Sequence, residues 1–109
     1  MYDYAGANMF VNRYLLKYKG NIYELPQEVF MCIAMLLAIN EENRVLVAKR
    51  FYNALSLKKI SLATPILANM RIPKGNLSSC FITAMDDNIE SIFYNIDTIA
   101  KISKSGGGV

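Results

Sequence analysis

From Val29 to Ile39 the chain is apolar without a break, and no other stretch restricts its fold as much. Just before it, Leu25-Pro-Gln-Glu fits a helix start. Proline is tolerated in the first turn, where its missing donor costs nothing, and Glu28 suits the positive end of the helix dipole. A helix that is apolar all round belongs among other helices rather than on a solvated surface. The run has about half of the roughly 20 residues that a bilayer span needs, so it reads as a core helix. The 109 residues offer little material to cover it on every side.

The neighbouring segments suit a helical surround. From Ala7 to Lys19, Phe10, Val11, Tyr14, Leu15 and Tyr18 recur at spacings of three and four, which predicts a helix stopped by Lys19-Gly20-Asn. A third helix is expected from about Glu42 to Leu55, with Val45, Leu46, Phe51 and Tyr52 buried. Beyond Ser56 the pattern changes. Ile60 to Leu67 reads as a short extended segment interrupted by Thr64-Pro65, because proline removes a ladder donor. Turn residues follow from Arg71 to Asn76, and Leu77 to Met85 reads as a strand. A final helix places Ile89, Ile92, Phe93, Ile96, Ile99 and Ala100 on one face, with Asp86 or Asp87 as its cap and Glu90 completing a capping box. The Gly106-Gly-Gly run ends it.

Composition narrows the function classes. Twelve basic residues against nine acidic ones give a net charge of +3, and they are scattered. Nucleic-acid binding needs several phosphate contacts from one surface, so no nucleic acid is expected. No membrane is expected either, and the N-terminus lacks the basic and apolar regions of a signal peptide. Two cysteines without a secretory signal suit a reducing compartment, with the cytoplasm as the expected location.

Four segments carry chemistry-bearing residues: Ser61-Leu-Ala-Thr-Pro-Ile-Leu-Ala-Asn-Met, Leu77-Ser-Ser-Cys-Phe, Asp86-Asp-Asn-Ile-Glu-Ser-Ile and Ile102-Ser-Lys-Ser-Gly-Gly-Gly-Val. Each has an ordinary reading. A cysteine in a strand is often a small buried hydrophobe, and Cys32 within its apolar run reads as core. Hydroxyls at Thr64 and Ser79 make local hydrogen bonds. Asp87 and Asn88 cap helices, Lys104 suits a helix end, and a glycine run either stops a helix or lets backbone amides approach an anion.

In this order and at this spacing, the four segments together resemble the large catalytic subunit of ribonucleotide reductase, probed further by Asn12-Arg-Tyr-Leu and Pro26-Gln-Glu-Val-Phe-Met. The resemblance implies an α+β piece of an α/β protein: a helical N-terminal region over residues 1–58, then over 59–109 the first strands and a helix of the ten-stranded reductase barrel. It implies reduction of ribonucleotides to deoxyribonucleotides by thiol and radical chemistry, in a fragment or split N-terminal part that is inactive alone. Cys80 becomes one of a redox-active thiol pair, whose other member lies downstream in the family. Thr64, Ser79 and Gly107 become substrate contacts. Asp87, Asn88, Ile89 and Lys104 become contacts to a deoxynucleoside triphosphate or ATP effector, although the family often has serine where Asn88 stands. Implied partners are the remainder of the large subunit, a second large subunit, thioredoxin or glutaredoxin, and the ribonucleotide. The radical would come from a metal-containing small subunit in class I, which the motifs resemble more closely, or from adenosylcobalamin in class II. No cofactor is expected on these residues themselves. The competing expectation is a small helical interaction module without catalysis.

Overall fold

A computed structural model describes residues 3–109 and contains five α-helices, one π-helical turn and one two-stranded hairpin among them. Helix α1, Tyr4–Met9, starts at Asp3, whose carboxylate accepts the Gly6 N–H at 2.7 Å. It then widens into a π-helical turn over Phe10–Tyr14, closed by the Leu15 N–H on the Phe10 carbonyl at 2.9 Å. The extra residue in that turn puts Phe10, Tyr14 and Leu15 on the interior side.

The helix expected to continue to Lys19 stops at Tyr14. Lys17–Tyr18 (β1) instead pairs antiparallel with Asn21–Ile22 (β2), in the register Lys17 with Ile22 and Tyr18 with Asn21. Lys19 and Gly20, with φ of 49° and 83°, form the two-residue connection, and two successive left-handed residues match the twist of a tight hairpin while excluding a helix. Tyr18, expected on the buried helical face, lies in the open, edge-on to Tyr23.

Helix α2, Pro26–Leu37, begins as expected, with the Glu28 carboxylate reaching back to accept the Leu25 N–H. Its burial is one-sided. Val29, Phe30, Ile33 and Ala34 face the core, whereas Met31, Met35 and Leu36 are exposed. Helix α3, Arg44–Ser56, is capped by Asn43 and packs along α2. Ala48 and Leu55 are its buried residues. Val45 and Leu46 are exposed and Phe51 and Tyr52 half-buried, because the inward stripe is set by where α2 lies and not by hydropathy alone.

The segment read as extended around Thr64-Pro65 is helix α4, Thr64–Asn69. Pro65 falls in its first turn, the one helical position where a missing N–H is harmless, and Ile66, Leu67 and Ala68 lean on the core. That core gathers Phe10, Tyr14, Leu15, Val29, Phe30, Ile33 and Leu55.

Leu77 to Met85, expected as a strand, is not one. A strand needs a continuous neighbour, and the described residues offer this one a single bridge, at Cys80. Helix α5, Ile89–Lys104, follows. Its cap is Asn88, not Asp86 or Asp87: the Asn88 side chain accepts the Ser91 N–H at 2.8 Å, and the Ser91 hydroxyl accepts the Asp86 N–H at 2.9 Å. The buried residue of α5 is Asn95, whose amide donates to the carbonyls of Ala84 and Ser91. Much of the apolar stripe of α5 remains open, with Ile89, Phe93, Ile96 and Ile99 all exposed. No helix among the described residues is long and apolar enough to cross a membrane.

Candidate functional site

The C-terminal end of α5 folds the glycine run back onto the cysteine segment. Gly106 takes a φ of +83° beyond the last helical residues. The Gly106 N–H then bonds the Ser103 carbonyl at 2.9 Å and the Gly107 N–H bonds the Ile102 carbonyl at 3.0 Å. This pair of bonds is a Schellman closure, which satisfies the last carbonyls and reverses the chain.

The reversal delivers Gly108 to Cys80. The two form a parallel bridge in which the Gly108 N–H bonds the Ser79 carbonyl at 2.8 Å and the Phe81 N–H bonds the Gly108 carbonyl at 2.9 Å. Gly107 is buried beneath the Phe81 ring, where a Cβ would stand 2.6 Å from both Phe81 Cε2 and Ile102 Cγ2. Only a residue without a side chain passes there. Two segments 28 positions apart by these numbers, Cys80 and Gly108, thus form one surface.

On that surface the Cys80 thiol is exposed, with the Ser79 hydroxyl 3.4 Å from Sγ. The segment leading in is fixed from the helical side, where the Asn69 amide donates to the Asn76 carbonyl at 2.7 Å and the Asn76 side chain accepts the Ser78 N–H. A single thiol forms a disulfide only with a second one. Cys32 is the other cysteine, half-buried within α2 and likewise a free thiol. Among the described residues there is no group of His, Cys, Asp and Glu able to hold a metal ion.

The remaining candidates lie elsewhere. Thr64 is an exposed residue at the start of α4, and its hydroxyl faces that of Tyr14 at 3.4 Å. Asp87, Asn88 and Ile89 mark the start of α5 and Lys104 its last turn. At 1.5 Å per residue, a helix of 16 residues separates them by about 24 Å. One turn before Lys104, Lys101 pairs with Asp97 at 2.6 Å, and that hydrogen bond raises the lysine pKa. The apolar cavity of about 240 Å³ on the helical core has walls that include Phe10, Phe30, Leu55, Leu62 and Leu67 and holds none of these candidates.

Sequence reasoning missed a polar centre between hairpin and α4. Arg71 sets its guanidinium on the Glu24 carboxylate, Nε to Oε2 at 3.1 Å and Nη2 to Oε1 at 2.6 Å, with side chains only 5% and 11% exposed. In the sequence Arg71 reads only as the start of a turn, and nothing singles out Glu24. The pairing spans 47 positions, and no local periodicity signals it.

The all-alpha domain of ribonucleotide reductase matches residues 1–75, and the barrel domain of the same enzyme matches residues 78–109. A ribonucleoside-diphosphate reductase subunit alpha from a Synechocystis species is 54% identical over 99% of the chain. The subunit alpha of Helicobacter pylori strain 26695 is 47% identical over 99%, and the large subunit of Arabidopsis thaliana is 37% identical over 99%. The chain spans about 14% of the length of the first two relatives and 13% of the third.

Proposed function

Since the chain belongs to the ribonucleotide reductase large-subunit family, we propose that it supplies one redox thiol and part of the substrate surface for reducing ribonucleotides to deoxyribonucleotides. It does so only together with the remainder of the barrel. The observation that carries this reading is the backbone bridge that sets Ser79 and Cys80 beside Gly107 and Gly108. An exposed thiol, an adjacent hydroxyl and a glycine backbone turn together suit a ribose and its phosphates better than any of them alone.

The chemistry needs two thiols. A dithiol closing to a disulfide gives up two electrons and two protons, and the ribose loses its 2′-oxygen as water. Cys80 provides one sulfur, and the second comes from the remainder of the subunit. The Ser79 hydroxyl touches the substrate at the thiol, buried Gly107 holds the turn beneath that surface, and Thr64 approaches from the helical side. Thioredoxin or glutaredoxin then reduces the disulfide. The radical that opens the reaction comes from outside these residues, from a metal-containing small subunit in class I or adenosylcobalamin in class II. Such thiol chemistry suits the reducing cytoplasm.

Asp87, Asn88 and Ile89 bind a deoxynucleoside triphosphate or ATP effector, with Lys104 at the far end of α5. An effector shorter than α5 meets both sets only where two subunits lay their α5 helices antiparallel. The open apolar face of Ile89, Phe93, Ile96 and Ile99 supports such a homodimer.

Cys80→Ser tests the reading in the enzyme assembled from this chain and the remainder of the barrel. It should abolish turnover with a dithiol reductant while leaving ribonucleotide binding in place. Turnover at the parental rate would remove Cys80 from the reaction.

A further inference from the structure

Tyr14 bears on both ends of α4. Its hydroxyl meets Thr64 Oγ1 at the start of that helix, 3.4 Å away. Its carbonyl accepts Arg71 Nη2 at 2.8 Å, and the same guanidinium donates through Nη1 to the Leu67 carbonyl within α4. Arg71 has no freedom to leave, since the bidentate bond to Glu24 fixes the plane of its fork. Glu24 is itself tied to the chain before the hairpin by the Leu16 N–H at 2.8 Å. Tyr14 is 8% exposed, and its ring stands edge-on to Phe10 at 5.4 Å. The phenol oxygen is therefore placed from the core side.

Helix α4 does not need this phenol in order to fold, because Pro65 and the apolar contacts of Ile66, Leu67 and Ala68 already account for it. What the phenol adds is direction. A threonine hydroxyl has one proton and two lone pairs, and in a helix it divides between rotamers. When the more acidic tyrosine hydroxyl donates to Oγ1, the threonine proton is left to point at an outside acceptor.

We propose that Tyr14, held by the Glu24–Arg71 pair, is a positioning residue that aims the Thr64 hydroxyl as a donor at an acceptor oxygen of the ribonucleotide. The inference rests on Thr64 being a substrate contact, as proposed above, and adds the residue that orients it and the polarity of the bond. An interaction made equally in the bound and transition states changes KM and leaves kcat alone.

The test uses the reductase assembled from this chain and the remainder of the barrel, with Tyr14→Phe, Thr64→Ala and the double variant. Tyr14→Phe keeps the ring and its packing. Each single variant should raise the KM for the ribonucleotide about threefold to tenfold, the range of one hydrogen bond, with kcat held within about twofold. The double variant should be no worse than Thr64→Ala. If Thr64→Ala raises KM while Tyr14→Phe does not, the positioning role is overturned and the substrate contact stands. If Thr64→Ala leaves KM unchanged, the substrate contact itself falls. Additive effects in the double variant would also overturn the proposal, by giving Tyr14 an independent role. On the 109-residue chain, NMR couplings between Hα and Hβ of Thr64 should show one rotamer in the parent and averaging in Tyr14→Phe; averaging in both would count equally against it.

Discussion

Replacing Gly107 by alanine isolates the contact on which the thiol surface depends. The new methyl would lie 2.6 Å and 2.9 Å from two atoms of the Phe81 ring and 2.6 Å from Ile102 Cγ2. Carbon atoms pack at about 3.5–4.0 Å, so each approach is roughly 1 Å too close. Overpacking of this size costs about 1–3 kcal/mol. Relief is available by opening the bridge, which gives up two backbone bonds worth about 0.5–1.5 kcal/mol each. The two costs are comparable, so the alanine chain should hold its bridge open for a substantial share of the time. Amide exchange measured by NMR should quicken by about tenfold to a hundredfold at Phe81 and Gly108, since about 1.4 kcal/mol corresponds to tenfold. Gly106→Ala is the control: nothing lies within 4 Å of its Cβ, and its φ of +83° makes the cost one of backbone strain. Phe81→Ala should rescue Gly107→Ala in part, because it removes the ring but leaves the methyl 2.6 Å from Ile102 Cγ2. Unchanged protection at both amides in Gly107→Ala would refute the steric argument.

Two further predictions concern the scaffold. Glu24→Gln leaves the Arg71 guanidinium buried without its counter-charge, which should cost about 3–5 kcal/mol and appear as a lowered urea midpoint; a loss under 1 kcal/mol would mean that water replaces the carboxylate. Asn88→Ala removes the cap of α5 and should cost about 1 kcal/mol, with circular dichroism showing frayed helix, whereas Asp87→Ala should leave the helix content unchanged.

Several elements were legible locally. The start of α2 was written in Pro26 and Glu28, and the course of α5 in the spacing of its isoleucines, since these depend on residues within a turn or two of one another. Thr64-Pro65 misled because proline suits both the end of an extended segment and the first turn of a helix. The apolar contacts of Ile66, Leu67 and Ala68 with the core decide between them. Lys19-Gly20 misled in the same way, as a left-handed glycine serves both a helix end and a hairpin. The candidate site was legible as a set of motifs but not as a surface. Nothing near Cys80 in the sequence announces that Gly108 will pair with it.

The amino-acid sequence by itself determined the family, the start of α2 and the course of α5, because motifs, periodicity and capping are properties of neighbouring residues. Only the tertiary structure decided that the glycine run closes on the cysteine segment, that Arg71 is held by Glu24 across the fold, and that the apolar face of α5 stays open while Asn95 is buried. Those outcomes depend on which surfaces meet after the chain has reversed direction, and a hydrogen bond or a steric exclusion between distant residues leaves no trace in local spacing.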